Sequence, residues 1–333
     1  MINTQINNEW QLLDKIKETI EAKNSINSDH IVKSIGDDCA AFRLGNNRIG
    51  LITTDISIES IHFNLDLSSP EEIGFKAIMG GISDITAMGG ESKLAFISIG
   101  IPVILSQEYV LRIYDGMIDA ANRASVLLVG GDTSRSRELI INITIYGEVD
   151  ENRIINRNSA RDGDIIYITG HIGDSRAGME ILESKSIENR EAYKILIERH
   201  TRPIARFDII DEIIQIFNPT SMIDISDGLL SDLRHICNES LGGFIIEEEA
   251  IPLSKELLKF FTHRDDSVYE YALSSGEEYE LLFTSPKELT NTMKININNI
   301  PINPIGRITD KGFYIMRKNA LKEVQITGYN HFK

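Results

Sequence analysis

Two layered domains of mixed α/β character are predicted by three features of this chain. Strand-like and helix-like segments are interspersed throughout rather than gathered in blocks, which favours α/β or α+β layers. At 333 residues the chain is long for a single hydrophobic core. A polar, turn-rich stretch, DENRIINRNSARDGD (150–164), interrupts the apolar patterning and reads as an inter-domain connection or a long edge excursion. The expected division is therefore 1–149 and 150–333.

In chain order, residues 10–20 (WQLLDKIKETI) place Trp10, Leu13, Ile16 and Ile20 on one side of a helix. NRIGLITTD (47–55) reads as a strand ending in an acid. In SSPEEIGFKAIMGGISDITAMGG, Ser68 and Glu71 suit a capping box and Pro70 the first helical turn. The Gly80–Gly81 pair weakens that helix and implies a close backbone approach. LAFISIGIPV is a strand, 107–124 a helix, SVLLVGGD a buried strand ending in glycines and an acid, and ELIINITIYGEV a further strand. DIIYITGHIGDSRAGMEIL then supplies a strand, a glycine turn and a helix. Helices follow at 188–199, after Arg206 and near 254–261, while GGFIIEE, YELLFTS and GFYIMRK read as strands. SMIDISDGLLSDL (221–233) is a short apolar run broken by Asp224 and Asp227, with Gly228 turning it into a helix.

Composition excludes several classes. With 42% hydrophobic and 25% charged residues and no low-complexity tract, the chain is ordinary globular material. No apolar run approaches the roughly eighteen residues of a membrane span, so no membrane partner is expected. MINTQINNEW lacks the basic-then-apolar pattern of a signal peptide. Two cysteines, Cys39 and Cys237, make no disulfide framework, and a cytoplasmic location is expected. The formal charge of −16, from 50 acids against 34 bases, carries no Lys/Arg cluster, so nucleic acid is not an expected partner. A polyanionic ligand would have to be held by something other than net charge.

The acids recur where strands end. IGDDCA places Asp37 and Asp38 after an apolar run, ITTD places Thr53, Thr54 and Asp55, VGGDTS places Asp132, and MIDISDG places Asp224 and Asp227. Turn and N-cap chemistry is the ordinary explanation of any one of them. Asp84 resists it, because a mid-helix Asp flanked by apolar and small residues has no cap to serve. Ligands of α/β sheets gather beyond the carboxyl ends of strands, and all-oxygen donors of the Asp and Thr type suit Mg²⁺. No Gly-Lys dipeptide occurs, which removes a Walker P-loop. What remains for phosphate is GGDTSRS (130–136) and TGHIGDSRAG (169–178), the second opening a helix whose N–H groups could face an anion; tight strand–helix packing is the ordinary explanation of each.

Taken in order, IGDDCA, TTDISIESIHF, GFKAIMGGISDITAMGG, GGDTSRS, YITGHIGDSRAGMEIL, RHTRPIARF, MIDISDGLLSDL, SSGEEYELLFT, IGRIT and GYNHF closely resemble the thiamine-monophosphate kinase family. That family lies within the superfamily of aminoimidazole-ribonucleotide synthetase-like ATP-binding enzymes. The matching stretches run from about Ile35 to Phe332. The resemblance implies a P-loop-free kinase that uses ATP and several Mg²⁺ ions to convert thiamine monophosphate to thiamine diphosphate. It also implies a synthetase-like ATP-binding N-terminal domain, whose sheet joins a partner's in a homodimer, and a C-terminal α/β domain. By motif, Asp38, Thr53, Thr54, Asp55, Asp84, Asp132, Asp224 and Asp227 match metal ligands. Tyr114, Gly131, Asp132, Arg157 and Ser226 match ATP contacts, and His62, Glu277 and Tyr329 match substrate contacts. The chain departs from the family at Gly81-Ile82-Ser83-Asp84, where Asn-Leu-Ser-Asp is common, and at Ser275-Gly276-Glu277-Glu278, where Gly-Gly-Glu-Asp is common.

The implied acceptor is a phosphate monoester, whose second pKa is about 6, so its oxygen needs no general base. No residue is therefore expected to act as a catalytic base. Three other classes stay open on the sequence: a sister synthetase acting with ATP on another substrate, a phosphohydrolase built on Asp224, and a metal-buffering protein. A selenide-activating synthetase would want a reactive Cys near the N-terminus, whereas Cys39 lies inside the acidic motif. A haloacid-dehalogenase-type site wants two Asp two residues apart, and Ser226 occupies that place.

Overall fold

The computed structural model describes residues 9–23, 29–185, 187, 189–287 and 295–324. The first half comprises α1 (Glu9–Lys23), β1 (Ile31–Lys33), β2 (Ala40–Gly45), β3 (Arg48–Ile58), α2 (Pro70–Ala87), β4 (Glu91–Pro102), α3 (Gln107–Arg123), β5 (Leu127–Ser136) and β6 (Ile140–Asp150). Its six-stranded sheet has the order β1-β2-β3-β6-β4-β5, antiparallel except for the β4/β5 pair. Alternation along β6 sends Ile141, Ile143, Ile145 and Val149 inward against α2, with Ile78, Ile82 and Ile85 of that helix fully buried.

The second half comprises β7 (Ile165–Thr169), α4 (Asp174–Glu183), α5 (Lys194–Thr201), α6 (Ile210–Phe217), β8 (Ser221–Asp224), α7 (Leu229–Ser240), β9 (Gly243–Glu247), α8 (Lys255–Phe260), α9 (Val268–Leu273), β10 (Leu281–Ser285), β11 (Ile295–Ile297), β12 (Ile300–Thr309), β13 (Phe313–Arg317) and β14 (Ala320–Glu323). These strands form one sheet in the order β14-β13-β9-β12-β7-β10-β8, with β11 paired to β12. Both faces are covered. Ile166, Ile168, Ile223 and Leu282 enter one core, while Tyr167, Met222 and Phe283 enter the other against Phe217. That is why IIYIT and SMID read as continuous apolar runs with no alternation.

Three expectations are corrected. The N-cap of α2 is Ser69, not Ser68: its Oγ accepts Glu72 N–H and its own N–H donates to Glu72 Oε2 at 2.7 Å. Pro70 at the first helical position sets that frame. SVLLVGGD does not make a buried strand. β5 is the sheet edge, its glycines stay in register with Phe96 and Ile97, and it is exposed along most of its length. The helix expected over 10–20 is α1, and its Leu13, Ile16 and Ile20 are about 40% exposed. The segment 188–199 divides into a 3₁₀ turn, Arg190–Tyr193, and the helix α5. Strands β12, carrying Pro301 and Pro304, and the short β1, β2, β11 and β14 escaped the pattern reading, as did α9. No helix among the described residues is long and apolar enough to cross a membrane.

The Gly80–Gly81 pair has the expected cause at Gly81. A Cβ there would lie 2.6 Å from both Ile143 Cδ1 and Ile145 Cγ1, so α2 lies directly on β6. A Cβ on Gly80 would instead make ordinary contact with Asp55 Oδ2 and Tyr279 Oη, at 3.4 and 3.5 Å.

The two halves of the second core are tied by a buried ion pair. Arg206 and Glu280 are 5% and 1% exposed, Arg206 Nε donates to Glu280 Oε2, and Thr169 Oγ1 donates to the same oxygen at 2.6 Å. Removing one partner leaves an uncompensated buried charge. Glu280→Ala is expected to cost about 3–5 kcal/mol in urea unfolding, and Arg206→Met/Glu280→Leu to cost less than either single change.

Candidate active site

Three carboxylates from separate elements converge between the two sheets. Asp38 comes from the turn after β1, Asp84 from the body of α2 and Asp224 from the end of β8, and one oxygen of each lies within 4.8 Å of the others. Asp38 and Asp224 are buried and Asp84 half-buried. Each is oriented by a donor. Arg157 forks onto Asp38 with Nε at 3.2 Å and Nη2 at 2.5 Å, Thr53 Oγ1 donates to Asp84 Oδ2 at 2.6 Å, and Ser83 Oγ donates to Asp224 Oδ2 at 2.7 Å. Burial first, then Asp224 and Asp38, push the Asp84 carboxyl well above its usual range. Burial and then Asp38 raise Asp224 likewise. One arginine and two hydroxyls do not offset three crowded acids, and the donor set is all oxygen. That is the chemistry of a hard divalent cation such as Mg²⁺, and these residues fit one.

The other sequence-predicted residues fall into distinct places. Asp55, Ser226 and Asp227 line the same cleft, of about 500 Å³, as Asp84 and Asp224. Thr53 faces inward, whereas Thr54 turns its hydroxyl to Ile143 O on the sheet, as strand alternation requires. Asp37 is buried and engaged by Lys33 at 3.1 Å, which leaves Asp38 the member of the pair that faces the cluster. Tyr114, Gly131 and Asp132 line a second pocket of about 570 Å³ beside the β5 edge. Asp55 and Asp132 stand three strands apart in the order β3-β6-β4-β5, about 14 Å at ordinary strand spacing. Within one chain, then, the five ATP-matching residues divide between two places. His62 and Glu277 line the first cleft, with His62 Nδ1 accepting Ile58 N–H at 3.0 Å, which leaves Nε2 as the donor. Tyr329 lies outside the described residues.

Cleft residues absent from the sequence reading are Lys76, Ser175, Arg176, His200 and Thr201. Lys76 Nζ donates to Glu277 Oε2 at 2.7 Å, and His200 Nδ1 lies 3.7 Å from that oxygen. Burial first and then Lys76 lower His200 to about 4, so it is neutral near pH 7. One signal for Lys76 was available: Lys76, Gly80 and Asp84 recur every four residues, one face of α2.

The helix N-terminus that resembled an anion site, that of α4, is filled by the chain's own acid, and a second acid holds the turn before α7. At α4, Glu278 accepts the N–H groups of Gly173 and Ser175, so TGHIGDSRAG does not face a ligand phosphate there. At α7, Asp232 accepts the N–H groups of Ser226, Asp227 and Gly228 at 3.1–3.2 Å. Asp232 is 2% exposed and holds the turn between Asp224 and α7, while Gly228, at φ +111°, makes that turn. Glu278 keeps an acidic side chain where the family commonly has Asp, and spends it on this cap.

Comparison with known proteins places this geometry. Residues 36–149 match the model for the AIR synthase related protein N-terminal domain, and residues 161–318 the model for its C-terminal domain. The chain is 37% identical over 325 residues to the thiamine-monophosphate kinase of Aquifex aeolicus, covering 97% of this chain and 98% of the relative. It is 36% identical to that of Haemophilus influenzae over 92% and 93% of the two chains. Among solved structures, AaThiL complexed with AMPPCP and TMP superposes with a TM-score of 0.85 at 35% identity, covering 99% of this chain and all of that one. The carboxylate-lined cleft, the two-sheet architecture and these near full-length matches together assign the chain to the thiamine-monophosphate kinase family of AIR synthase related proteins.

Proposed function

We propose that this chain transfers the γ-phosphoryl group of ATP to the phosphate of thiamine monophosphate, giving ADP and thiamine diphosphate. The observation that carries the reading is the Asp38–Asp84–Asp224 cluster, whose Asp84 and Asp224 line a cleft that continues to Glu277 and His62. The structure of AaThiL complexed with AMPPCP and TMP supports it, since that relative holds an ATP analogue together with TMP. The division 1–149 and 150–333 goes with it: the first half supplies Asp38, Asp55 and Asp84, the second Asp224, Asp227 and Glu277.

In this reading Asp38, Asp84 and Asp224 hold Mg²⁺, with Thr53, Asp55 and Asp227 beside them, and Thr54 and Asp132 as further ligand positions. Bound there, Mg²⁺ supplies the charge neutralisation that lets two phosphate chains approach for in-line transfer. Thr53 and Ser83 keep Asp84 and Asp224 aimed, because each hydroxyl is committed to a single carboxylate oxygen. Arg157 keeps Asp38 aimed by its fork and adds positive charge next to the cluster. Tyr114, Gly131, Asp132, Arg157 and Ser226 are assigned to ATP, and His62, Glu277 and Tyr329 to the acceptor. Glu277 suits the cationic thiazolium, and His62 Nε2 suits a ring or phosphate acceptor. No base is required, since the attacking phosphate oxygen is largely deprotonated at neutral pH.

Cys39 speaks against the sister chemistry that needs a reactive thiol. It is 2% exposed, and burial followed by Asp84 pushes its thiol well above the ordinary value.

A homodimer and a cytoplasmic location belong to the same reading. Among the described residues no helix covers the outer face of the six-stranded sheet, which exposes Ile52, Ile56, Phe96, Leu127 and Val129 at 39–65% around the polar Thr54, Asn142 and Thr144. Such a largely apolar face suits a second copy of this chain.

Three outcomes are expected. Incubation with Mg²⁺, ATP and thiamine monophosphate yields ADP and thiamine diphosphate in equal amounts; ADP without thiamine diphosphate refutes the acceptor. Asp84→Asn lowers kcat on the order of a hundredfold with an unchanged far-UV spectrum; an unchanged kcat at saturating Mg²⁺ removes Asp84 from the site. By sedimentation, wild-type protein runs as a dimer and Ile56→Asp/Phe96→Asp as a folded monomer; a wild-type monomer refutes the interface.

A further inference from the structure

Glu277 stands on backbone that a residue with a Cβ disfavours, at φ +55°. The loop imposes this: Glu277 N–H donates to Ser226 O at 2.8 Å, and the next two N–H groups donate to Ile225 O. Strain of this kind, kept at a cleft wall, marks a side chain whose direction matters. That direction is set from the other sheet's domain, because Lys76 of α2 bonds Glu277 across 201 residues of sequence.

Lys76 is placed for this task rather than for the phosphates. It precedes Asp84 by eight residues, on the order of 12 Å along the helix axis. Its Nζ is committed to Glu277 Oε2, and its side chain is only 13% exposed. Burial works to raise the Glu277 carboxyl, but Lys76 and then His200 more than offset it, so Glu277 titrates below its usual range. Thr201, next to His200 in sequence, lines the same cleft and is 3% exposed.

We infer that Lys76 is the positioning residue of the acceptor end of the cleft: it holds the Glu277 carboxylate where the cationic thiazolium ring of thiamine monophosphate docks. The inference rests on the proposed reaction and adds a residue to it. It separates the two ends of the cleft chemically. Acids with Mg²⁺ serve the phosphates, and a lysine-steered carboxylate serves the organic ring.

The test is calorimetric titration with thiamine monophosphate of wild type, Lys76→Met, Lys76→Arg, Glu277→Gln and Lys76→Met/Glu277→Gln, with the KM for ATP measured in parallel. Lys76→Met and Glu277→Gln are each expected to weaken thiamine monophosphate binding about tenfold or more. The double variant should be little worse than either single, because the residues act as one unit. Lys76→Arg should restore most of the affinity, and the KM for ATP should stay within about twofold. Wild-type affinity in Lys76→Met, additive losses, or an equal rise in the KM for ATP would overturn the assignment. If Lys76→Met does not fold, Glu277→Gln and Lys76→Arg decide it: an unaffected Glu277→Gln, or a Lys76→Arg as weak as Glu277→Gln, overturns it. If wild type itself binds no thiamine monophosphate, the proposed reaction falls and the positioning role falls with it.

Discussion

Oxygens of Asp38, Asp84 and Asp224 meet within 4.8 Å between the two sheets, and like charges held so close repel. At an effective dielectric of about 20 the repulsion is on the order of 3 kcal/mol for each ionised pair. No local feature of the fold requires this arrangement. The first sheet contributes a turn and a helix, the second contributes a strand end, and Thr53, Ser83 and Arg157 are each spent on aiming one acid. Gly81 brings α2 down onto β6, and Gly80 keeps the helix surface bare beside Asp55. These features make sense together as the frame of a cation site, and the packing between the two halves is organised around it.

The same logic extends along α2. Its register puts Lys76, Gly80 and Asp84 on one face, so a single helix carries the cation-binding end and the acceptor end of the cleft. The C-terminal half answers with Asp224 opposite Asp84 and Glu277 opposite Lys76. The α4 N-terminus is capped from within the chain by Glu278, and Asp232 holds the turn that leads into α7. An acidic protein thus handles polyanions by concentrating acids for metal and internally consuming the carboxylates that would otherwise crowd the cleft.

Much of the fold was legible because its signals are local. Period-2 alternation in β6, the 3.6 period of α3 and the Ser-Pro start of α2 lie within a few residues of one another. The losses have physical causes. β12 carries two prolines that disguise a strand, β5 looks like a core strand until the sheet order makes it an edge, and α9 is one and a half turns long. In the site, the recurrence of acids at strand ends was visible, and Asp84 stood out as a mid-helix acid without a cap. The partners were not visible. Arg157 meeting Asp38, Lys76 meeting Glu277 and Asp232 folding back on Ser226 depend on tertiary approach, and only Asp232 acts within six residues of itself. Arg157 lies in the polar 150–164 stretch of the sequence and is a half-buried fork on Asp38 in the fold.

The central claim is that the carboxylate cluster is destabilising alone and becomes favourable with a divalent cation. Thermal unfolding of wild type and Asp224→Asn tests it most directly, once in EDTA and once in Mg²⁺ with a non-hydrolysable ATP analogue. Removing one buried like charge should leave Asp224→Asn with the higher midpoint in EDTA, and the order should invert in Mg²⁺ and analogue. A wild type that is the more stable of the two in EDTA, or an order unchanged by Mg²⁺ and analogue, would contradict it.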